Sequence, residues 1–340
     1  MRIYKLIICF ALLFTTVSLA ADRITLIEGR PLVGTIVNVT AEKVSIETNS
    51  KTEEVDANKI VATIYDREPT GLNAVRTAIR NNQITDALEA LNKIDVTKLP
   101  NNPPYMKQEY AYQMAYVKSQ LALTESADPK EAETLLVTFL QQNKKSYHYY
   151  EICQIYGKLL SMEGKSALAK KAYEQLAKAP WAEYNLTAKI ELGNAAITEN
   201  KIEEARQLFE DVANIQTVSQ IAEDQKALAK VGIAKCNIAE NKLEEAIKQL
   251  ETYIATTNPE NTPLQATLYT TLGKAYEKAN KPQYAINAYL SVDILYSNAR
   301  TEHITALKSL QNLWQKTGRK DRAEETEKRL KELYKISVEK

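Results

Sequence analysis

The sequence predicts a mainly α-helical protein, a solenoid of about seven helix pairs preceded by a small antiparallel β-barrel-like module. Three observations point there. The hydrophobic spacing changes from period two to a helical period near residue 70. A small residue opening each expected second helix recurs at Ala87, Ala132, Ala169, Ala205, Ala246, Ala285 and Ala323, at spacings of 45, 37, 36, 41, 39 and 38 residues. Periods of this size belong to stacked helical units. Glycine (9) and proline (10) are scarce in 340 residues, as a helical chain requires.

With 44% hydrophobic and 26% charged residues, the chain can bury a core and is not disordered by composition. A formal charge of +1 gives no global electrostatic case for nucleic acid or an anionic membrane as partner. Tyrosine outnumbers phenylalanine, 19 to 4, which suits thin layers where a ring is buried and its hydroxyl stays near water.

Residues 1–20 read as an export signal. Arg2 and Lys5 precede nine unbroken apolar residues, Leu6 to Phe14, and Ser18-Leu19-Ala20 supplies the small residues of a cleavage site. The apolar run is shorter than the roughly 20 residues of a spanning helix, so cleavage is expected over retention as an anchor. The expected address is the periplasm, the cell envelope or the extracellular space, with no membrane span after cleavage. Cys153 and Cys236 fall on first helices two units apart, too distant for a disulfide in a regular stack, and are expected as buried thiols.

Residues 22–66 alternate apolar with polar, as in Val33 to Val39 and Ile60 to Tyr65. Five strands fit, near 23–27, 31–39, 42–48, 51–56 and 59–65, with turn clusters at Glu28-Gly29-Arg30-Pro31 and Asn49-Ser50-Lys51. The short meander, with Gly34 allowing a sharp bend, resembles a small SH3-like or Sm-like barrel. So few residues make a thin core, so the module is expected to lean on the first helix that follows. It is expected to cap the open end of the stack, with a ligand site on the module as the other reading. Arg67-Glu68-Pro69-Thr70 marks the boundary.

Residues 70–338 hold the repeats. The best copy is Leu272, Gly273, Tyr276, Ala285 and Tyr289; the next is Leu192, Gly193, Ala196, Ala205 and Phe209. Gly157, Ala169 and Tyr173 keep three of the marks. The copy around Ala246 has Ile233 and Ala234 for the Leu-Gly pair, and the last copy has Trp314 at the Tyr position. This pattern resembles the tetratricopeptide repeat (TPR) family, specifically in copies three to six and loosely at both ends. Close approach at the small first-helix residue should admit the Ala after the turn, with the aromatic filling the space to the next unit. Glu199-Asn200-Lys201, Glu240-Asn241-Lys242 and Ala279-Asn280-Lys281 are versions of one turn. The periods exceed the ideal of about 34, so the first helices of units two and five should be extended or carry loops. The closing helix, Arg319 to Ile336, is charged enough to cap the stack.

No catalytic constellation is present. The two histidines, His148 and His303, have no metal-spaced partners, and no phosphate-binding glycine loop or nucleophile elbow occurs. Glu203-Glu204 and Glu244-Glu245 read as helix starts that favour the dipole. The expected protein is therefore not an enzyme and needs no cofactor or metal.

The resemblance implies a concave groove lined by first-helix positions, where a peptide or protein partner binds. Those positions include Asn194, Ile197, Lys235, Ile238, Lys274, Glu277, Lys308 and Asn312. Lys308 and Asn312 have the spacing of a carboxylate clamp but sit on the last unit, with no further unit to complete one. The expected function is a non-enzymatic interaction scaffold, possible also as a homo-oligomer. The alternative is a structural or assembly subunit of an envelope complex, docked by the β-module with the helices as spacer.

Overall fold

The structure is a computed structural model that describes residues 21–49, 51–101, 104–124, 127–216, 220–334 and 336. The expected export signal lies outside the described residues.

Five strands come first: β1 (Asp22–Leu26), β2 (Leu32–Val39), β3 (Lys43–Glu47), β4 (Thr52–Asp56) and β5 (Ile60–Ile64). They form one antiparallel sheet in the order β4-β3-β2-β1-β5. The expected barrel does not close, because β4 and β5 end the order and share no ladder. The register of β2 shifts between Ile36 and Asn38, and Gly34 lets β3 approach so closely that a Cβ there would meet the Glu47 carbonyl oxygen at 2.1 Å. One end of the sheet thus folds over without meeting the other.

Fourteen helices follow as seven antiparallel pairs: α1 (Thr70–Arg80) with α2 (Ile84–Asn92), α3 (Tyr105–Leu123) with α4 (Pro129–Gln142), and α5 (Tyr149–Met162) with α6 (Ser166–Leu176). Then come α7 (Ala182–Thr198) with α8 (Ile202–Ala213), α9 (Gln220–Ala239) with α10 (Leu243–Thr256), α11 (Thr262–Lys278) with α12 (Pro282–Leu295), and α13 (Arg300–Lys316) with α14 (Lys320–Tyr334). The longest are α3, with 19 residues, and α9, with 20, the first helices of pairs two and five.

The turns inside pairs repeat one device. Asn82, Asn200, Asn241 and Asn280 adopt left-handed φ of 60, 59, 63 and 56°. The next amide then reaches back to the helix, as in Lys201 N to Ala196 O at 2.9 Å and Lys242 N to Asn237 O at 2.8 Å. Asparagine tolerates this conformation better than other residues with a Cβ, which explains the recurring Asn-Lys.

Packing within and between pairs uses the small first-helix residues differently from the sequence expectation. The aromatic ring, not the alanine, lies against the glycine. A Cβ on Gly193 would stand 2.7 Å from Phe209 Cζ, and one on Gly232 would stand 2.3 Å from Phe209 Cδ1. Phe209 is therefore gripped by glycines of two successive pairs. The second-helix alanines are buried, Ala205 in the same cluster as Phe209. Cys153 and Cys236 are buried and unpaired, as the spacing required.

The apolar core of the sheet does not pack on α1. The apolar stripe of α1, including Val75 and Ala78, is taken up with residues of α2 and α3. The sheet core of Ile24, Ile36, Val44 and Ile46 instead meets Tyr147, with Tyr105, Met106 and Trp181 packed against it. These four residues stand at the start of α3, α5 and α7, so the sheet rides along the rim of three successive pairs instead of capping the end of the stack. Asn58 also hydrogen-bonds Glu183.

A buried polar network fastens this junction. Arg76 Nη1 and Nη2 donate to Glu68 at 2.5 and 2.9 Å, and its Nε donates to Glu109 at 3.3 Å. The other Glu109 oxygen lies 3.2 Å from His148 Nε2 and accepts from the Tyr147 hydroxyl at 3.3 Å. Tyr147 in turn pairs with Thr63 of β5 at 2.9 Å. His148 stacks on Tyr112 with ring centroids 3.3 Å apart. At the far end, Asp293 joins His303 at 2.8 Å to a two-armed contact from Arg329, tying α14 to α12 and α13. Both histidines are thus structural partners of carboxylates.

Candidate functional site: the inner chamber

The array turns far enough for its last pair to return to its first. Asn82, between α1 and α2, donates to the carbonyl of Asn298, before α13, at 3.2 Å. The inner face of the turned array holds a half-open chamber of about 630 Å³. First helices supply its walls, because their inward faces lie on the concave side: Lys158 from α5, Ile190, Glu191 and Asn194 from α7, Leu228, Val231 and Lys235 from α9, Thr267 from α11, and Glu302 from α13.

The apolar part is Ile190, Leu228, Val231 and Leu264, and the charges stand around it. Lys158 is matched to Glu191 at 3.0 Å, and that charge raises its pKa. Among the described residues Lys235 has no acidic partner in contact; its ammonium donates to the Asn194 carboxamide oxygen at 3.2 Å. Burial and the neighbouring Lys274 push the Lys235 pKa down, the direction expected for a cation drawn from water beside a like charge. Burial pushes the Glu302 carboxyl up.

The expected groove residues separate into groups. Asn194 and Lys235 line the chamber and bond each other. Lys274 is exposed, close enough to act on Lys235 through its charge. Ile197 and Ile238 are half-buried and packed against the hydrophobic clusters of their own pairs. Glu277 accepts the Tyr289 hydroxyl at 2.6 Å. Lys308 and Asn312 line a separate cavity of about 240 Å³, whose other wall is Leu123 and Thr124 at the end of α3. The missing neighbour of the last pair is thus supplied by the second pair, through the turn of the array.

Glu191 and Glu302 were not among the expected residues. Glu191 lies about one turn before the expected Asn194, and Glu302 about one turn before Thr305, which shares a face of α13 with the expected Lys308 and Asn312 and makes one ladder with them. Extending the ladder one turn toward each helix start would have found Asp224, Pro263 and Glu302 together. Their convergence across the chamber depends on the return of the last pair, for which the sequence holds no signal. Among the described residues no group of three or more potential metal ligands occurs, and no helix is long and apolar enough to cross a membrane.

The fold defines the class: an α-solenoid of TPR-like helix pairs carrying a small N-terminal sheet. Its fold is similar to that of a Rap protein, solved in complex with Competence and Sporulation Factor, with TM-score 0.50 and 14% identity over 77% of this chain and 75% of that one. Also similar are a tetratricopeptide repeat protein from Parabacteroides merdae, at TM-score 0.48 and 16% identity over 78% of this chain and 95% of that one, and MamA, at TM-score 0.33 and 23% identity over 52% and 92%. No protein-family model and no curated protein matches the sequence.

Proposed function

We propose that this protein is a non-enzymatic binding scaffold of the exported compartment, and that its chamber takes a peptide or an extended segment of a partner protein. The observation that carries this reading is Lys235. It is a half-buried cation in a chamber with an apolar wall, bonded among the described residues to a neutral carboxamide and pressed by Lys274. An arriving carboxylate would relieve that repulsion and complete the ammonium's bonds, while the apolar wall supplies contact area. Asn194, Lys235 and Lys274 form the anion-reading side of the site. A Rap protein of similar fold was solved in complex with Competence and Sporulation Factor, in keeping with a binding role. Export rests on the pattern of residues 1–20, and sequencing the mature N-terminus tests it by the presence of Ala21 as first residue.

The binding test uses a synthetic random tetrapeptide pool passed over the immobilised full chain. Retained peptides are identified by mass spectrometry and titrated singly by calorimetry. Lys235→Glu should weaken them at least tenfold, the loss of one charge-assisted contact plus a repulsion. Equal retention by wild type and Lys235→Glu would remove the chamber as the site.

A second reading, docking through the sheet as a structural subunit, is favoured by Ile27, Val33 and Val61, exposed at 55, 51 and 60%. Val33→Lys with Val61→Lys should then release the protein from a large envelope complex on sizing.

A further inference from the structure

The chamber's other uncompensated charge is Glu302, and it bears on what the ligand must carry. Glu302 comes from α13, beside α11, and the turn of the array brings it within electrostatic reach of Lys158 on α5. Its carboxylate forms no ion pair with any described residue. Lys158 and Lys235 are within electrostatic reach, but Lys158 is held by Glu191 at 3.0 Å and Lys235 by Asn194 at 3.2 Å. Its carboxylate accepts from its own backbone N–H, and its contact with a neighbouring side chain is weak. Thr267 Oγ1 lies 3.4 Å from it, and the single hydroxyl proton has a better acceptor in the Pro263 carbonyl at 2.9 Å. Asp224 lines the same chamber, held by Asn261 at 3.1 Å. Half-buried carboxylates at this depth are ordinarily paired.

We infer that Glu302 reads a primary ammonium of the chamber's ligand, so that the ligand is a short dipolar peptide held by opposite charges at Glu302 and Lys235. This rests on the chamber being the binding site. The size agrees: about 630 Å³ lies inside the ~300–1,000 Å³ of small-ligand sites and is too small for a folded surface. The walls agree too, since the anion-reading lysines stand on α9 and α11 and the acid on α13. The ammonium is either the peptide's own N-terminus or a lysine side chain; both present the same three donors.

The test uses the full chain and the tetrapeptide pool in three forms: unmodified, N-acetylated, and unmodified with lysine replaced by norleucine. Peptides retained by wild type are titrated against wild type, Glu302→Gln and Lys235→Met. Removing the ammonium should weaken wild-type binding about tenfold to a hundredfold, and Glu302→Gln should lose that discrimination. Loss on acetylation assigns the N-terminus; loss on norleucine replacement assigns a side chain; either supports the inference. Equal binding of all three forms to wild type overturns it. So does a Glu302→Gln variant that weakens blocked and unblocked peptides alike, the signature of a residue that only holds α13 in place. If Lys235→Met weakens the peptides while Glu302→Gln and acetylation do nothing, the chamber stands and this inference falls. If wild type retains no peptide, both fall.

Discussion

Arg76→Met should cost more stability than any other single surface-remote substitution outside the apolar core. Arg76, Glu68 and Glu109 have side-chain exposures of 8, 6 and 3%. At about 3 Å and an effective dielectric near 20, each contact is worth roughly 5 kcal/mol before desolvation. Desolvation of three charges offsets most of that while the cluster is whole. Methionine keeps much of the volume but leaves two carboxylates buried without their guanidinium, Glu109 with His148, Tyr147 and Gln113 beside it and Glu68 with the Tyr65 N–H. Removing one partner of a buried pair costs about 3–5 kcal/mol, a large fraction of the roughly 5–15 kcal/mol of a typical domain. Guanidinium unfolding, followed by circular dichroism and by the fluorescence of Trp181 against the sheet core, measures the loss. Adding Glu68→Gln to Arg76→Met should recover part of it, because one stranded charge is gone. A single variant within about 1 kcal/mol of wild type, or no recovery in the double variant, would refute the view that this cluster fastens the sheet to the helices.

Three further outcomes are expected. Burial would raise the Glu109 carboxyl, but His148 and Arg76 outweigh it and hold the pKa at about 2; Asp293 is likewise held at about 2 by His303 and Arg329. These depressed groups contribute stability above their ordinary values near 4.5 and 3.8, lost as pH falls toward 2. For His148, burial is outweighed by Glu109 and Glu151, so its pKa is raised. Its contribution is full below 6.5 and is lost as pH rises through the folded value. Unfolding free energy measured against pH should therefore be greatest between about 4.5 and 6.5, and a maximum above pH 8 would contradict these assignments. Gly273→Ala places a Cβ 2.6 Å from the Tyr289 ring; the usual helix gain of about 1 kcal/mol should be reversed to a net loss of about 1–2 kcal/mol, read as a lower melting midpoint. Asn241→Ala should cost about 1 kcal/mol at its φ of 63°, whereas Asn241→Gly should be neutral or stabilising; equal effects of the two would deny a left-handed requirement.

The seven pairs were legible because packing of adjacent helices is local. Ala205 and Phe209 are one turn apart and meet residues of the neighbouring helices, so their spacing in sequence reports directly on a contact. The Asn-Lys turns are legible for the same reason, since one residue's φ decides each. Gly232 was passed over because Ile233 and Ala234 filled the expected pattern, though the ring it admits belongs to the preceding pair. His148 has no metal-spaced partner in the sequence, and its carboxylate partner 39 positions away lies beyond any spacing rule.

What the sequence determined by itself is the unit: helix pairs with small residues at their contacts, five short strands, and first helices that turn one face inward. The tertiary structure alone decided how those units meet. Small rotations between successive pairs accumulate until Asn82 reaches Asn298 and Glu302 faces Lys235 across the chamber. No single pair encodes that sum. The placement of the sheet follows the same logic, because Tyr105, Tyr147 and Trp181 form one surface only after three pairs have stacked. Contacts between neighbours are written into residue spacing, while closure and the charges it brings together arise from geometry added over the whole array.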